Sequence, residues 1–270
     1  MARSAYYAWA RRGVAARAQA ETDLLVQSAA AHARRRRTSG APRSHAELRA
    51  RGVRCARKRV ARLMRAAGLV GCHRRRRVRA TVAEPAHTPA PDPVARDFRA
   101  TASDRLWLGD STYVATHEGW RYLAVLLDVH SRRVVGWAMA DHLRTELALD
   151  ARRMARRARR PGAGLVHHTD RGSQYTAASY RAALATPGVT VSMRRAGECL
   201  DNAMAERFFA TLKAELLDTR SWPTRAAARR AIVEWIAVWY HRQRRHSALA
   251  YRAPVAQEAQ HWLLLQDQAA

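Results

Sequence analysis

Three carboxylates stand out by residue type and spacing: Asp110 in RLWLGDSTYV, Asp170 in LVHHTDRGSQY and Glu206 in CLDNAMAERFFATLKAE. Fifty-nine residues lie between the first two and thirty-five between the second and third. Two aspartates and a glutamate supply hard oxygen donors with no soft ligand among them, which suits Mg²⁺ or Mn²⁺ better than zinc. Two such ions roughly 3.5–4 Å apart can act on one phosphodiester. One lowers the pKa of an attacking water or 3′-hydroxyl, and the other stabilises the departing oxygen. The competing reading is that these are ordinary surface or capping acids, as Asp201 directly before a helix is most simply a cap.

Other residues invite similar weighing. Asp128 is the best competitor for a ligand role, but His130 and the Ser131-Arg132 turn beside it favour turn stabilisation. Glu118 and Glu198 read as loop acids. His167 and His168 stand just before Asp170 and suggest zinc, yet adjacent strand residues point to opposite faces, so one is expected inside and the other in solvent. Lys213 follows Glu206 by seven residues and returns to the same helix face two turns on, where a cation holds a phosphate or is merely an exposed lysine.

The elements that must position these groups are legible from periodicity. Three strands run through RLWLGDSTYVAT, WRYLAVLLDVHS and RRVVGWAMAD, joined by short turns as a meander. A helix follows from about Thr145 to Arg160, then a strand at LVHHT, a helix near AASYRAALA and a strand at VTVSM. The Glu206 helix, opened by Asp201 or Asn202, and a long helix from Thr224 to about Arg242 complete the pattern. Strands first and then alternating helices and strands predict an α/β domain, a mixed sheet with flanking helices. Asp110 then sits at a strand end, Asp170 just after a later strand and Glu206 one turn inside a helix.

Residues 1–72 read differently, as basic helical runs punctuated by Gly13, Gly40-Ala41-Pro42, Gly52 and Gly68. In the last run Val60, Leu63 and Met64 make one face and leave Arg57, Lys58, Arg59, Arg62 and Arg65 outside. A short helix, a turn and a basic helix is the outline of a small all-helical, helix-turn-helix-like DNA-binding domain; an ordinary bundle with a solvated charged face is the alternative. Arg43, Arg57, Lys58, Arg59 and Arg62 are its candidate DNA contacts. Residues 73–100, basic and then rich in proline, form a linker; 101–260 hold the catalytic core with its C-terminal helices, and 261–270 a tail.

The bulk numbers agree with a polyphosphate partner. Lys and Arg number 49 against 22 Asp and Glu, a net charge of +27, and a field of that strength is neutralised most readily by nucleic acid. The three cysteines, Cys55, Cys72 and Cys199, have no paired spacing and suggest reduced thiols in the cytoplasm. Neither a signal segment nor a stretch approaching the ~20 apolar residues of a membrane span is present.

Several blocks together resemble a known family. WLGDSTYV with GWRYLAVLLDVHSRRVVGW, HHTDRGSQY, SMRRAGECLDNAMAERFFATLKAE and WYHRQRRHSALAYRAP are similar to the second-frame, integrase-core protein of insertion-sequence transposases of the IS-three family, relatives of retroviral integrases. The resemblance implies a ribonuclease H-like core and a DDE mechanism. Asp110, Asp170 and Glu206 fall on the family's acidic positions, and Lys213 on the basic position that contacts the element end.

The family mechanism implies hydrolytic strand cleavage at element ends followed by transfer of the 3′-hydroxyl, with Mg²⁺ or Mn²⁺, on the order of two ions. It also implies element terminal repeats and target DNA as partners, a homo-oligomer on DNA, and an upstream-frame product as partner or frameshift fusion. A nuclease of the same fold that cuts without joining, and a non-catalytic DNA-binding protein from a decayed element, are the alternatives. The N-terminal module departs from the family pattern at Ser39 and Ser44, where an aromatic and an aliphatic residue are more usual, which predicts looser packing there.

Overall fold

The computed structural model describes residues 2–10, 15–72, 100–170, 172–185, 188–193 and 203–269. The chain divides into two compact units, Met1–His73 and Arg74–Ala270. The linker read at 73–100 lies almost wholly outside the described residues, as do Glu198, Cys199, Asp201 and Asn202.

The first unit contains α1 (Arg3–Ala10), α2 (Ala16–Arg34), α3 (Ala41–Ala50) and α4 (Arg57–Ala66). Gly40-Ala41-Pro42, a break in the sequence pattern, is the start of α3, with Pro42 in the first turn where no amide donor is needed. Leu24 of α2, Leu48 of α3, and Val60, Leu63 and Met64 of α4 form its core, as the periodicity of the last run requires. Glu47 is buried among them and accepts from Arg35 and, at 2.8 Å, from the Arg51 Nε.

Ser39 and Ser44 are both buried. The Ser39 carbonyl is bonded to the His32 ring at 2.9 Å, whereas the Ser44 hydroxyl is buried without a partner. An unpaired buried hydroxyl costs about 1–3 kcal/mol, and alanine, which packs a helix better, removes that cost. Ser44→Ala is therefore expected to stabilise this unit by about 1 kcal/mol, read as a roughly fivefold rise in amide-exchange protection along α3 and α4.

In the second unit β1 (Leu106–Thr116), β2 (Gly119–Asp128) and β3 (Val134–Ala140) form the expected antiparallel meander. Then come α5 (Thr145–Arg159), β4 (Leu165–Thr169), α6 (Ser173–Thr176), α7 (Ala178–Leu184) and β5 (Val189–Met193). The helices α8 (Ala203–Glu215), α9 (Arg225–Glu234) and α10 (Pro254–Ala269) follow. α10 runs through the stretch that the sequence leaves as a tail. The sheet order is β3-β2-β1-β4-β5, with β4 parallel to both β1 and β5. A meander extended by parallel strands and covered by helices is the ribonuclease H-like arrangement.

Both faces of this sheet are covered. Trp107, Leu126, Val135 and Leu165 pack with Ala155 of α5 on one side. On the other, Val114, Leu123, Val125 and Leu127 pack with Phe208, Phe209 and Leu212 of α8 and with Ile232 of α9. α9 continues as a π-helical turn, Trp235–Tyr240, whose Trp235, Ile236, Trp239 and Tyr240 enter the same core. Gly136 lets α5 approach β3, since a Cβ there collides with the Ala151 carbonyl oxygen.

Candidate active site

Asp110 lies in β1, and Asp170 is the first residue after β4. The parallel register ends with Gly109 opposite Thr169, so the next residue on each chain brings Asp110 and Asp170 to the same level on neighbouring strands. Adjacent strands run about 4.8 Å apart, which makes these two residues neighbours where the β1–β4 pairing stops. Asp110 itself lies midway along β1, not at the strand end that the sequence suggests, because β1 runs on to Thr116 paired with β2. Each is held locally. The Ser111 amide donates to the Asp110 Oδ1 at 2.7 Å, and the Gly172 amide donates to the Asp170 Oδ1 at 2.9 Å. Both aspartates are half-buried.

Glu206 arrives from a different direction. It lies in the first turn of α8 and is exposed. Its neighbour Ala205 is fully buried in a cluster with Leu106 and Leu108 of β1. Strand alternation puts Leu106, Leu108 and Asp110 on one face, so α8 is seated on the face from which Asp110 projects. Among the described residues, no group of three His, Cys, Asp or Glu side chains is placed to hold a metal ion. The sheet register thus brings Asp110 and Asp170 to one level on neighbouring strands, and α8 sets Glu206 on the face that Asp110 shares. The donor chemistry of the paired aspartates fits a hard divalent cation, because two like charges at that spacing repel unless a cation lies between them.

Residues around the pair went unassigned in the sequence. Tyr175 is buried, and burial, helped by Tyr180, Asp110 and Asp170, raises its hydroxyl well above the ordinary range. The Gln174 amide donates to the Ser111 hydroxyl at 3.3 Å. The signal was their position, a short helix directly after Asp170 in HHTDRGSQY.

The histidines correct the sequence reading. His167 and His168 do point to opposite faces, but both are buried, because helices cover both faces of the sheet and β5 pairs along the edge of β4. His167 shares a 2.9 Å hydrogen bond with the Tyr180 hydroxyl, and His168 one of 2.9 Å with the Ser192 hydroxyl. Asp128 serves the turn. Its carboxylate accepts from the Ser131 amide at 2.8 Å, the Ser131 hydroxyl at 2.7 Å and the Asp104 amide at 2.8 Å.

Burial, with Arg152 nearby, pushes His167 down from 6.5 to about 3. Burial, with Arg133 nearby, does the same to His241, whose Nε2 accepts from the Val134 amide at 3.1 Å. Folding therefore keeps both rings neutral while the unfolded chain takes up protons below pH 6.5. Stability is full above pH 6.5 and falls between there and about 3. The urea midpoint of the second unit is expected to drop from pH 7.5 to pH 5, at about 1.4 kcal/mol per pH unit for each histidine below pH 6.5.

Lys213 is half-buried on α8, with its ammonium 4.7 Å from the centre of the Tyr113 ring. In the first unit Arg57 and Lys58 are exposed at the start of α4, and Arg43 is half-buried on α3. Arg59 and Arg62 both face Glu21 of α2, at 3.8 and 2.5 Å, so they also hold α4 to α2. No helix among the described residues is long and apolar enough to cross a membrane.

Two integrase core domain models match residues 100–199 and 187–254, and an HTH-like domain model matches residues 19–77. The chain is 41% identical over 257 residues to the Shigella sonnei insertion element IS600 uncharacterized 31 kDa protein, covering 95% of this chain and 94% of that one. It is 37% identical over 251 residues to the Escherichia coli (strain K12) transposase InsF for insertion sequence IS3A, covering 92% and 86%. In fold it is similar to a chain of the simian T-cell lymphotropic virus intasome complex with PP2A regulatory subunit B56 gamma. The TM-score is 0.50 and the identity 15%, over 79% of this chain and 69% of that one. A helical HTH-like domain, an integrase core on a β3-β2-β1-β4-β5 sheet and this identity over nearly the full length place the chain in one family: it belongs to the insertion-sequence transposases of the IS-three family.

Proposed function

We propose that this chain is a DNA transposase that nicks the ends of its element by hydrolysis and joins the freed 3′-hydroxyl to target DNA by direct transesterification. The observation that carries the reading is that Asp110 and Asp170 come to one level just past the last paired residues of β1 and β4, in a chain of this family. Asp110, Asp170 and Glu206 are the catalytic set and would hold Mg²⁺ or Mn²⁺. Two such ions, when bound, supply activation of the attacking oxygen and charge stabilisation at the departing one. The carboxylates orient the cations, while the Ser111 and Gly172 amides fix two of the carboxylate oxygens.

α8 is rigidly backed by the sheet core and delivers Glu206 from the face that Asp110 shares. In this reading Glu206 joins the aspartates as the third carboxylate of the site. Lys213 of the same helix contacts the element end. Arg43, Arg57, Lys58, Arg59 and Arg62 contact DNA from the helix-turn-helix-like unit, Arg57 and Lys58 most freely because neither faces Glu21. In this reading residues 1–72, 73–100 and 101–260 act as DNA-binding unit, linker and catalytic core. The protein works in the cytoplasm on the nucleoid as a multimer, with the upstream-frame product as partner or fused in frame.

A strand-transfer assay with labelled element ends, a target plasmid and Mg²⁺ tests this. Products longer than the substrate are expected. Shortened products alone would instead identify a nuclease, and no metal-dependent product would sink the catalytic reading.

A further inference from the structure

Pairing between β1 and β4 stops at Gly109 and Thr169, and beyond it β1 continues to Thr116 paired only with β2. This projecting hairpin carries two large aromatics on one face. Tyr113 pairs with Tyr122, and Trp120 with Ala115, which makes Tyr113 and Trp120 diagonal neighbours on the same side. Their rings meet edge to face with centres 5.0 Å apart, yet they remain 55% and 50% exposed. Aromatics that large gain nothing from standing in water, so an exposed contacting pair marks a surface that something else covers.

The surroundings indicate what covers it. The Lys213 ammonium stands over the Tyr113 ring at 4.7 Å. On the other face of the hairpin, Arg121 gathers with Arg225 and Arg229, which lie one turn apart on α9 and repel one another. The Nε atoms of Arg121 and Arg225 are buried without a partner. Burial, then the cation of Arg229, depress the Arg121 guanidinium, with Asp141 opposing. Flat aromatic faces in a field of cations match a ligand with flat faces on an anionic backbone, which is nucleic acid with its bases unstacked.

We propose that Tyr113 and Trp120, together with Lys213, form a stacking platform for unpaired DNA bases beside the catalytic carboxylates. This rests on the transposase reading and deepens it. Tyr113 is three residues from Asp110, roughly 10 Å along a strand and on the opposite face of it, and Lys213, which reaches the Tyr113 ring from α8, is seven from Glu206, roughly 10 Å along a helix. The platform therefore takes bases a few nucleotides from the reacting phosphate. Holding them apart opens the duplex end, and Lys213, reaching from α8 to the Tyr113 ring, leads its backbone toward the face of Asp110. Lys213 neutralises a phosphate of the same strand.

The test compares two short duplexes in the full-length chain without divalent metal, one blunt and one with its last four base pairs mismatched. The mismatched strand carries 2-aminopurine. Wild type is expected to bind the mismatched end about tenfold more tightly, with the 2-aminopurine fluorescence quenched by stacking. The double variant Tyr113→Ala/Trp120→Ala should bind both duplexes equally and leave the fluorophore bright. Tyr113→Phe/Trp120→Phe should keep the preference, which a purely structural role for the hydroxyl or indole N–H would not.

An alanine variant that retains the preference and the quenching overturns the platform. So does one that changes only the sedimentation coefficient, since that identifies a protein contact. Wild type that joins DNA ends but shows no preference overturns the platform alone. Wild type that binds neither duplex overturns the transposase reading and the platform together.

Discussion

Asp110→Asn and Asp170→Asn are each expected to lower Mg²⁺-dependent cleavage and joining by on the order of a thousandfold or more, while DNA affinity changes only a few-fold. Cation-held charge supplies several kcal/mol of transition-state stabilisation, and each ~1.4 kcal/mol is tenfold in rate. DNA affinity comes instead from many cations spread over a chain of net charge +27, so removing one acid barely changes it. The same pairing gives a second readout that does not depend on turnover. Two carboxylates at one level on neighbouring strands repel in the metal-free protein, and either substitution removes that repulsion.

The metal-free variants should therefore be no less stable than wild type. Added Mg²⁺ should raise the melting temperature of wild type, by about 1.4 kcal/mol of stability at ten times the dissociation constant, and leave both variants unmoved. Equal Mg²⁺ stabilisation of wild type and variants would remove these aspartates from the metal site.

Glu215→Gln is expected to destabilise the second unit by about 3–5 kcal/mol. Glu215 ends α8, and its carboxylate receives Arg244 through Nε at 3.0 Å and a terminal nitrogen at 2.8 Å. The Trp239 indole donates to it at 3.3 Å. Both charged side chains are more than nine-tenths buried. Removing the negative charge leaves the Arg244 guanidinium desolvated and unpaired, which is the costly half of breaking a buried pair. Replacing both residues, as in Glu215→Leu/Arg244→Met, should cost far less than either single change. Urea unfolding followed by tryptophan fluorescence measures this, since Trp107, Trp120, Trp137, Trp222, Trp235, Trp239 and Trp262 all lie in the second unit. A double variant as unstable as the sum of the two singles would mean that the pair is not coupled. The pair also anchors the helix that carries Glu206, so its loss weakens the support of the third carboxylate.

What was legible in the sequence was local. The helix face of Val60, Leu63 and Met64, the meander ending at Ala140, the stop of α5 before Pro161 and the Thr224 cap of α9 each follow from a few neighbouring residues. Side-chain periodicity and turn chemistry act over that range. The same holds for the types of the three acids and for the placement of Asp170 just after a strand and of Glu206 in a helix turn, whereas Asp110, expected at a strand end, lies midway along β1 because the hairpin runs on to Thr116.

Other features were not readable, for physical reasons. Whether His168 meets solvent depends on what covers the second face of the sheet. α8 does so from a distant part of the chain, while β5 extends the sheet and sets the Ser192 hydroxyl beside the ring. Ser44 looked like a loosening of its module, but only packing shows that its hydroxyl is buried without a partner.

The sequence by itself determined the family, the strand and helix pattern, the acidic residues at 110, 170 and 206 and the excess of positive charge, because each is a property of residue type and short-range spacing. The tertiary structure alone decided that Asp110 and Asp170 come to one level on neighbouring strands, that Glu215 and Arg244 meet across 29 positions of chain, and that Tyr113 and Trp120 touch on an uncovered hairpin. Strand register and helix docking set those relations. Both depend on burying apolar surface contributed from the whole length of the second unit, which no local stretch encodes.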